Sequence, residues 1–214
     1  ALRNKLQSHL SDDWVVTLGM RYGTPSIASA IDSLLAAPVK KIVVLPLFPQ
    51  YASSSYGSAV QEVYDQVRTR TNVPALDIIP PFYDHPIYIE ALVQHTQQFY
   101  TQHPYDHLIM SFHGLPERHV IASDHGKPSC DLRAPCPAMH AKNHACYRAQ
   151  SYATARLLAQ GLGLADHDYT VGFQSRLGKT PWIQPYTDAL LPELHAGGHR
   201  NIAVVCPSFT ADCL

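Results

Sequence analysis

Charge is scarce in this chain. Only 15% of its 214 residues are Asp, Glu, Lys or Arg, against about a quarter in an ordinary soluble domain. The 16 basic and 17 acidic side chains nearly cancel, to a formal −1. No basic stripe is present, which excludes the electrostatic footprint of a nucleic-acid binder. No apolar run is long enough to cross a bilayer. The first residues, Ala1-Leu2-Arg3-Asn4-Lys5, lack the apolar core of a signal peptide. Cysteine is sparse and odd in number: Cys130, Cys136, Cys146, Cys206 and Cys213. An odd count without a secretion signal argues against a disulfide framework, and a reducing cytoplasm is the default. Gly178-Lys179-Thr180 lacks the preceding glycine that a phosphate-binding P-loop requires. Thirteen histidines and 12 tyrosines carry some of the missing polarity. A surface so poor in charge suits a subunit contact, an apolar ligand or a membrane surface. Oligomeric state and peripheral membrane association stay open, and no transmembrane segment is expected.

Five apolar runs read as strands: Trp14–Leu18, Lys41–Leu47, His107–Phe112, Tyr169–Phe173 and Asn201–Pro207, with a shorter sixth at Ala75–Ile79. Most are near-continuous Val/Ile/Leu runs, which predicts strands covered on both faces. Between them lie helical patterns at Thr24–Leu35, Ser55–Arg70, Pro86–Gln102, Ala145–Leu162 and Thr187–Ala196. Pro25 suits the first turn of the first of these. Alternating strands and helices predict an α/β fold, with parallel sheets flanked by helices. Lys40–Phe48 parallels Arg200–Phe209, each run following an amphipathic helix and ending in a loop that opens another. This loose repeat predicts two similar Rossmann-like halves with a cleft between them, the usual place for a ligand. The proline-rich stretch Pro80–Pro86 is the expected boundary, giving 1–85 as the C-terminal part of a first half and 86–214 as a second. The chain opens as if in mid-helix and stops just after a strand. The expectation is a fragment that lacks sequence at both ends, with the final helices of the second half missing. A Pro-, His- and Cys-rich insertion at about 121–144 shows neither helical nor strand period, and is longer than most connections.

The most informative stretch is Ser111-Phe112-His113-Gly114-Leu115-Pro116, directly after Leu108-Ile109-Met110. It places a histidine where a buried strand ends, and the carboxyl ends of strands are where open α/β sheets bind ligands. Imidazole titrates nearest neutrality, so it can take up and release protons there. A histidine that only hydrogen-bonds a loop would look the same. Other strand ends carry unusual groups. Phe48-Pro49-Gln50-Tyr51-Ala52-Ser53-Ser54 opens a helix and, taken alone, reads as a well-made cap with two core aromatics. Arg176 and Lys179 beside Trp182 suit a flat anionic ligand, by charge and by stacking, or a solvated turn with an aromatic anchor. Arg21-Tyr22 after the first run is another anion contact. Asp212 lies beyond the last strand, where it also suits a helix cap.

Together these motifs resemble the ferrochelatase family. The resemblance rests on Met20-Arg21-Tyr22, Phe48-Pro49-Gln50-Tyr51, Ser111–Pro116, Phe173–Trp182 and Pro207–Asp212, in register over nearly the whole chain. It implies a chelatase-type fold of two Rossmann-like halves around a porphyrin cleft, and the insertion of Fe²⁺ into protoporphyrin IX with release of two protons. By position, His113 matches the family's active-site histidine, which accepts pyrrole protons or ligates the incoming iron. Arg21 and Tyr22 match porphyrin contacts, and Phe48, Tyr51 and Ser54 match the loop lining the iron side. Leu115, Arg176, Trp182 and Phe209 match further pocket residues, and Asp212 an acidic group that guides protons or metal. His85 matches an outer metal-binding histidine. The resemblance sets an essential glutamate immediately beyond Leu214, so the chain as given is expected to be inactive. Cys213 stands where relatives often carry His. Some bacterial relatives hold a [2Fe–2S] cluster on four cysteines in the region of Cys130, Cys136 and Cys146, where Pro137 and Ser151 stand at positions of missing ligands. A cluster, a Zn²⁺ site and a vestigial loop are the three readings of this segment, and no cofactor is required for the reaction. The partners implied are a porphyrin and ferrous iron as substrates. A chelatase for coproporphyrin or for a cobalt-accepting tetrapyrrole, and a non-catalytic haem- or metal-binding protein on the same scaffold, are the rival readings.

Overall fold

In the computed structural model, residues 2–123 and 131–210 are described. The chain divides into two compact units: Ala1–Pro46 with Ser54–Pro80, and Leu47–Ser53 with Pro81–Leu214.

The first unit holds helices α1 (Leu2–His9), α2 (Ile27–Leu35) and α3 (Ser58–Arg68), and strands β1 (Lys41–Val44) and β2 (Ala75–Ile78). The two strands pair in parallel, Lys41 with Ala75 through Val44 with Ile78. Ile27 and Ile31 of α2 and Val63 and Val67 of α3 make its small core, because each pair is spaced four apart and so shares one helix face. α2 starts three residues later than the sequence pattern implies. Ser26 is its N-cap, with its hydroxyl accepting from the Ser29 N–H at 3.1 Å, so Pro25 stands outside the helix. The second helical pattern opens in a π-helical turn, Ser53–Gly57, from which α3 continues.

Trp14–Leu18 is not a strand. Among the described residues no strand pairs with it, and Trp14 and Val15 are 50% and 58% exposed. The side chain of Gln7 takes the place of a neighbouring strand. Its amide donates to the Trp14 carbonyl and accepts from the Val16 N–H, both at 2.8 Å. An extended apolar run reads alike whether or not a partner strand exists.

The second unit holds β3 (His107–His113), β4 (Tyr169–Gln174) and β5 (Ile202–Val205), with helices α4 (Pro86–Tyr100), α5 (Glu117–Ser123), α6 (Tyr147–Leu162) and α7 (Thr187–Ala196). All strand pairs are parallel, in the order β4-β3-β5. β3 is central, and its first six residues are all buried, His107 and Ser111 among them, as its near-continuous apolar run predicts. The short strands β1, β2 and β5 keep exposed positions. α6 buries ten of its residues, mostly small ones. Gly161 lets α4 come close: a Cβ there would lie 2.5 Å from Cγ2 of Val93. In the cysteine-rich stretch, α5 takes the first three residues, and residues 131–146 follow as turns without helix or strand. Parallel strands with flanking helices make this an α/β protein. No helix among the described residues is long and apolar enough to cross a membrane.

Candidate active site

His113 is the last residue of β3 and the first of that strand not fully buried. The strand ladder explains why it stops there. On one side β3 stays paired with β4 as far as His113 opposite Gln174. On the other, the pairing with β5 ends at Met110 opposite Val205. Gly114 then runs tight against β4. Its N–H donates to the Gln174 carbonyl at 2.8 Å, and a Cβ there would sit 2.8 Å from that same oxygen and 3.3 Å from the Trp182 ring. Only glycine fits this approach.

Beyond Gly114 the chain is zipped to the loop after β4. The Leu115 carbonyl accepts from Ile183 N–H and the Pro181 carbonyl from Glu117 N–H, both at 3.0 Å. Pro116 and Trp182 form an isolated antiparallel bridge. Leu115 is buried, and the Trp182 indole donates to the Leu177 carbonyl at 3.0 Å.

The imidazole of His113 faces Phe209, which lies on the loop after β5. Their ring centroids are 6.0 Å apart with planes at 72°, an edge-to-face contact. Burial lowers the proton affinity of His113, so the ring is neutral near pH 7. A neutral imidazole keeps a nitrogen lone pair, which is what a proton acceptor or metal ligand needs.

Two buried tyrosines hold the chain around these rings. Tyr147, the first residue of α6, donates its hydroxyl to the main-chain carbonyl of His113 at 2.7 Å and lies 3.2 Å from Ser208 Oγ. Tyr88 of α4 donates to the carbonyl of Pro207. Burial raises both phenols, that of Tyr147 to about 12, so both hydroxyls remain donors. The Leu47–Ser53 segment belongs to the same unit. Gln150 of α6 accepts from the Tyr51 N–H and donates to the His144 carbonyl, both at 2.6 Å. Gln50, only 2% exposed, donates to Thr154 Oγ1, whose hydroxyl in turn donates a hydrogen bond to the Tyr83 carbonyl. Thr210 donates to the Leu47 carbonyl at 2.9 Å. One frame of α4 and α6 side chains therefore fixes the loop of Phe48 and Tyr51, the loop of Phe209 and the end of β3.

The remaining candidates fall elsewhere. Arg176 stacks over the Tyr186 ring at 4.1 Å and pairs with Asp188 at the start of α7, 2.7 Å away. Its charge is thus matched by the first turn of α7, and Lys179 nearby is exposed. His85 is exposed at the N-cap of α4. Arg21, Tyr22 and Ser54 lie in the first unit. Arg21 covers the Tyr22 ring at 4.7 Å and reaches Ser58 Oγ at 2.9 Å and Glu62 at 3.4 Å. Asp212 lies outside the described residues, as does Cys130. Cys136 and Cys146 are buried in the apolar core of the second unit. Among the described residues no three His, Cys, Asp or Glu side chains gather to hold a metal.

Sequence reasoning missed Tyr147, Tyr88 and Gln150. No local signal marks them, because each acts on a segment remote in sequence.

The family model described as Ferrochelatase matches residues 1–214. A ferrochelatase of Legionella pneumophila (strain Philadelphia 1) is 46% identical over 215 residues, which cover 100% of this chain and 62% of that protein. A ferrochelatase of Coxiella burnetii (strain RSA 493) is 42% identical over 213 residues, covering 100% and 59%. The chain thus spans about three-fifths of the length of these relatives. With a match from end to end and the histidine-bearing strand tip in place, the chain belongs to the ferrochelatase family.

Proposed function

We propose that this chain carries the proton-accepting part of an enzyme that inserts Fe²⁺ into protoporphyrin IX. The observation that carries the reading is His113: a neutral imidazole at the tip of the central strand, with one edge-on aromatic neighbour. Metallation of a porphyrin releases two pyrrole N–H protons. A base at the macrocycle face must be unprotonated before the metal enters, and burial keeps His113 so. Phe209 supplies an apolar wall beside that base, and Trp182 a ring at the neighbouring strand end. Distorting the macrocycle out of plane exposes a nitrogen lone pair. Contacts made only to the bent form would then lower the barrier. Arg176 suits a porphyrin carboxylate, exchanging Asp188 for it. By the family resemblance alone, Asp212 would assist in moving protons or metal. The family resemblance and the identity to named ferrochelatases support the reaction class.

The test is His113→Ala in the intact protein, assayed for Fe²⁺ insertion. General-base loss is expected to slow insertion at least about 100-fold, with the folded state retained. Insertion at the wild-type rate overturns the reading. Competing protoporphyrin IX with coproporphyrin in one assay tests the substrate: the protoporphyrin product is expected to dominate.

A further inference from the structure

The peptide unit between His113 and Gly114 is gripped at both ends. Its N–H donates to the Gln174 carbonyl at 2.8 Å, as the next rung of the β3–β4 ladder. Its C=O points to the other side, where β5 has already ended: the last β3–β5 pair is Met110 with Val205. A carbonyl in that position would lose its strand partner. The Tyr147 hydroxyl fills the gap at 2.7 Å. A carbonyl only accepts, so the single phenolic proton is committed to it. The contact of Tyr147 with Ser208 Oγ, 3.2 Å, is then donated by the serine. One oxygen thereby joins the histidine's backbone to the residue preceding Phe209.

We propose that Tyr147 is a positioning residue, which sets the orientation of the His113 imidazole by holding its carbonyl while anchoring the Phe209 loop against the same ring. The inference rests on His113 being the proton acceptor only for its effect on rate; its effect on the ring is independent of that reading. Tyr147 suits the task because it opens α6, the most deeply buried helix of the unit. It touches no reacting atom itself and acts through His113 and Phe209. Removing the hydroxyl leaves the His113 carbonyl without its donor and the Ser208 hydroxyl without its acceptor, so both sides of the His113–Phe209 contact loosen. Water then reaches the imidazole, and its proton affinity climbs back toward the ordinary value.

The experiment is Tyr147→Phe in the intact protein, with the His113 ring titrated by NMR and the pH dependence of insertion measured alongside. The His113 midpoint is expected to rise by about half a pH unit or more, the acid limb of the rate to move with it, and kcat to fall roughly tenfold. Tyr100→Phe is the control. It removes a hydroxyl that accepts from the Val204 N–H and donates to the Val204 carbonyl on β5. It is expected to lower stability without moving the midpoint. Ser208→Ala, which cuts only the loop side, is expected to move it in the same direction by less, and decides the matter if Tyr147→Phe does not fold. An unchanged midpoint in the folded variants, or an equal shift in Tyr100→Phe, overturns the inference. If the midpoint moves while His113→Ala keeps full insertion activity, Tyr147 positions the ring as proposed and the proton-acceptor reading alone falls.

Discussion

His113 and Phe209 meet edge to face, 6.0 Å between ring centroids and 72° between ring planes. The contact turns one side of the imidazole toward hydrocarbon, and burial lowers the ring's affinity for a proton. A base in this state stays available in weakly acidic solution. The acid limb of kcat/KM for metal insertion is therefore expected below the ordinary imidazole value of about 6.5. A steady-state pH profile with porphyrin varied measures it. A limb above that value contradicts a buried imidazole as the group that must be unprotonated.

Gly114 has backbone, not a movable side chain, where its Cβ would go. Gly114→Ala is expected to cost about 1–3 kcal/mol of stability, in the range of overpacking, and to displace the His113–Gly114 peptide. Denaturant titration of the two proteins decides this. A midpoint equal to wild type would mean that β4 yields freely at Gln174.

Gln150 supplies the acceptor for the Tyr51 N–H and a donor to the His144 carbonyl. Gln150→Ala takes both away in a buried setting, at an expected cost of about 1–3 kcal/mol. If Tyr51 lines the iron side of the pocket, KM for Fe²⁺ rises more than KM for porphyrin. Separate saturation curves for the two substrates show which one moves.

His107 lies at the opposite end of β3 and is nearly fully buried, with Nε2 2.9 Å from Thr170 Oγ1 and its ring 4.6 Å from that of His199. Burial first, then His199, lowers its proton affinity, against the opposing pull of Asp106 and Asp168. The folded form thus binds this proton less readily than the unfolded chain. Its stabilising contribution is complete above the unfolded value of about 6.5 and is lost as pH falls below it toward the folded value. His113 acts with the same sign. Unfolding free energies measured from pH 7.5 down to pH 5, values chosen to bracket about 6.5, are expected to fall less steeply in His107→Gln. Parallel curves would assign the acid slope to other groups.

Arg176→Ala separates fold from binding. Its pair with Asp188 is exposed, so the stability change is expected to stay within about 1 kcal/mol. A rise in KM for a carboxylate-bearing porphyrin, absent with a neutral ester, is expected if the guanidinium leaves Asp188 for the substrate.

The elements were most legible where local signals and tertiary need coincide. β3 could be read from Leu108-Ile109-Met110 because a strand buried on both faces has little room for polar residues, and within Leu108–Phe112 only Ser111 interrupts the apolar run. α7 runs over Thr187–Ala196 as its pattern implies, and α4 opens at Pro86, whose missing N–H costs nothing in a first turn. Trp14–Leu18 misled because propensity says nothing of whether a second strand is at hand, and here Gln7 answers for one. In the site, Phe209 was named only through the family resemblance, whereas His113 was legible because it directly follows a buried apolar run. Tyr147 was not: its partner lies 34 residues earlier, and a tyrosine opening an alanine-rich helix carries no sign of what its hydroxyl will meet. Gln150 was hidden in the same way, 99 residues from Tyr51.

The central place of β3 between two parallel neighbours also sets a hierarchy of motion. Its amides from Leu108 to Phe112 are bonded within the sheet and shut off from solvent. They should exchange their hydrogens last, on the timescale of global opening. The segments after β4 and β5, with Ser175–Thr180 and Cys206 exposed, should exchange early. A flat guest entering beside His113 would thus meet a still floor and yielding walls. Breathing of the loops, rather than of the strand, would set how quickly such a guest comes and goes.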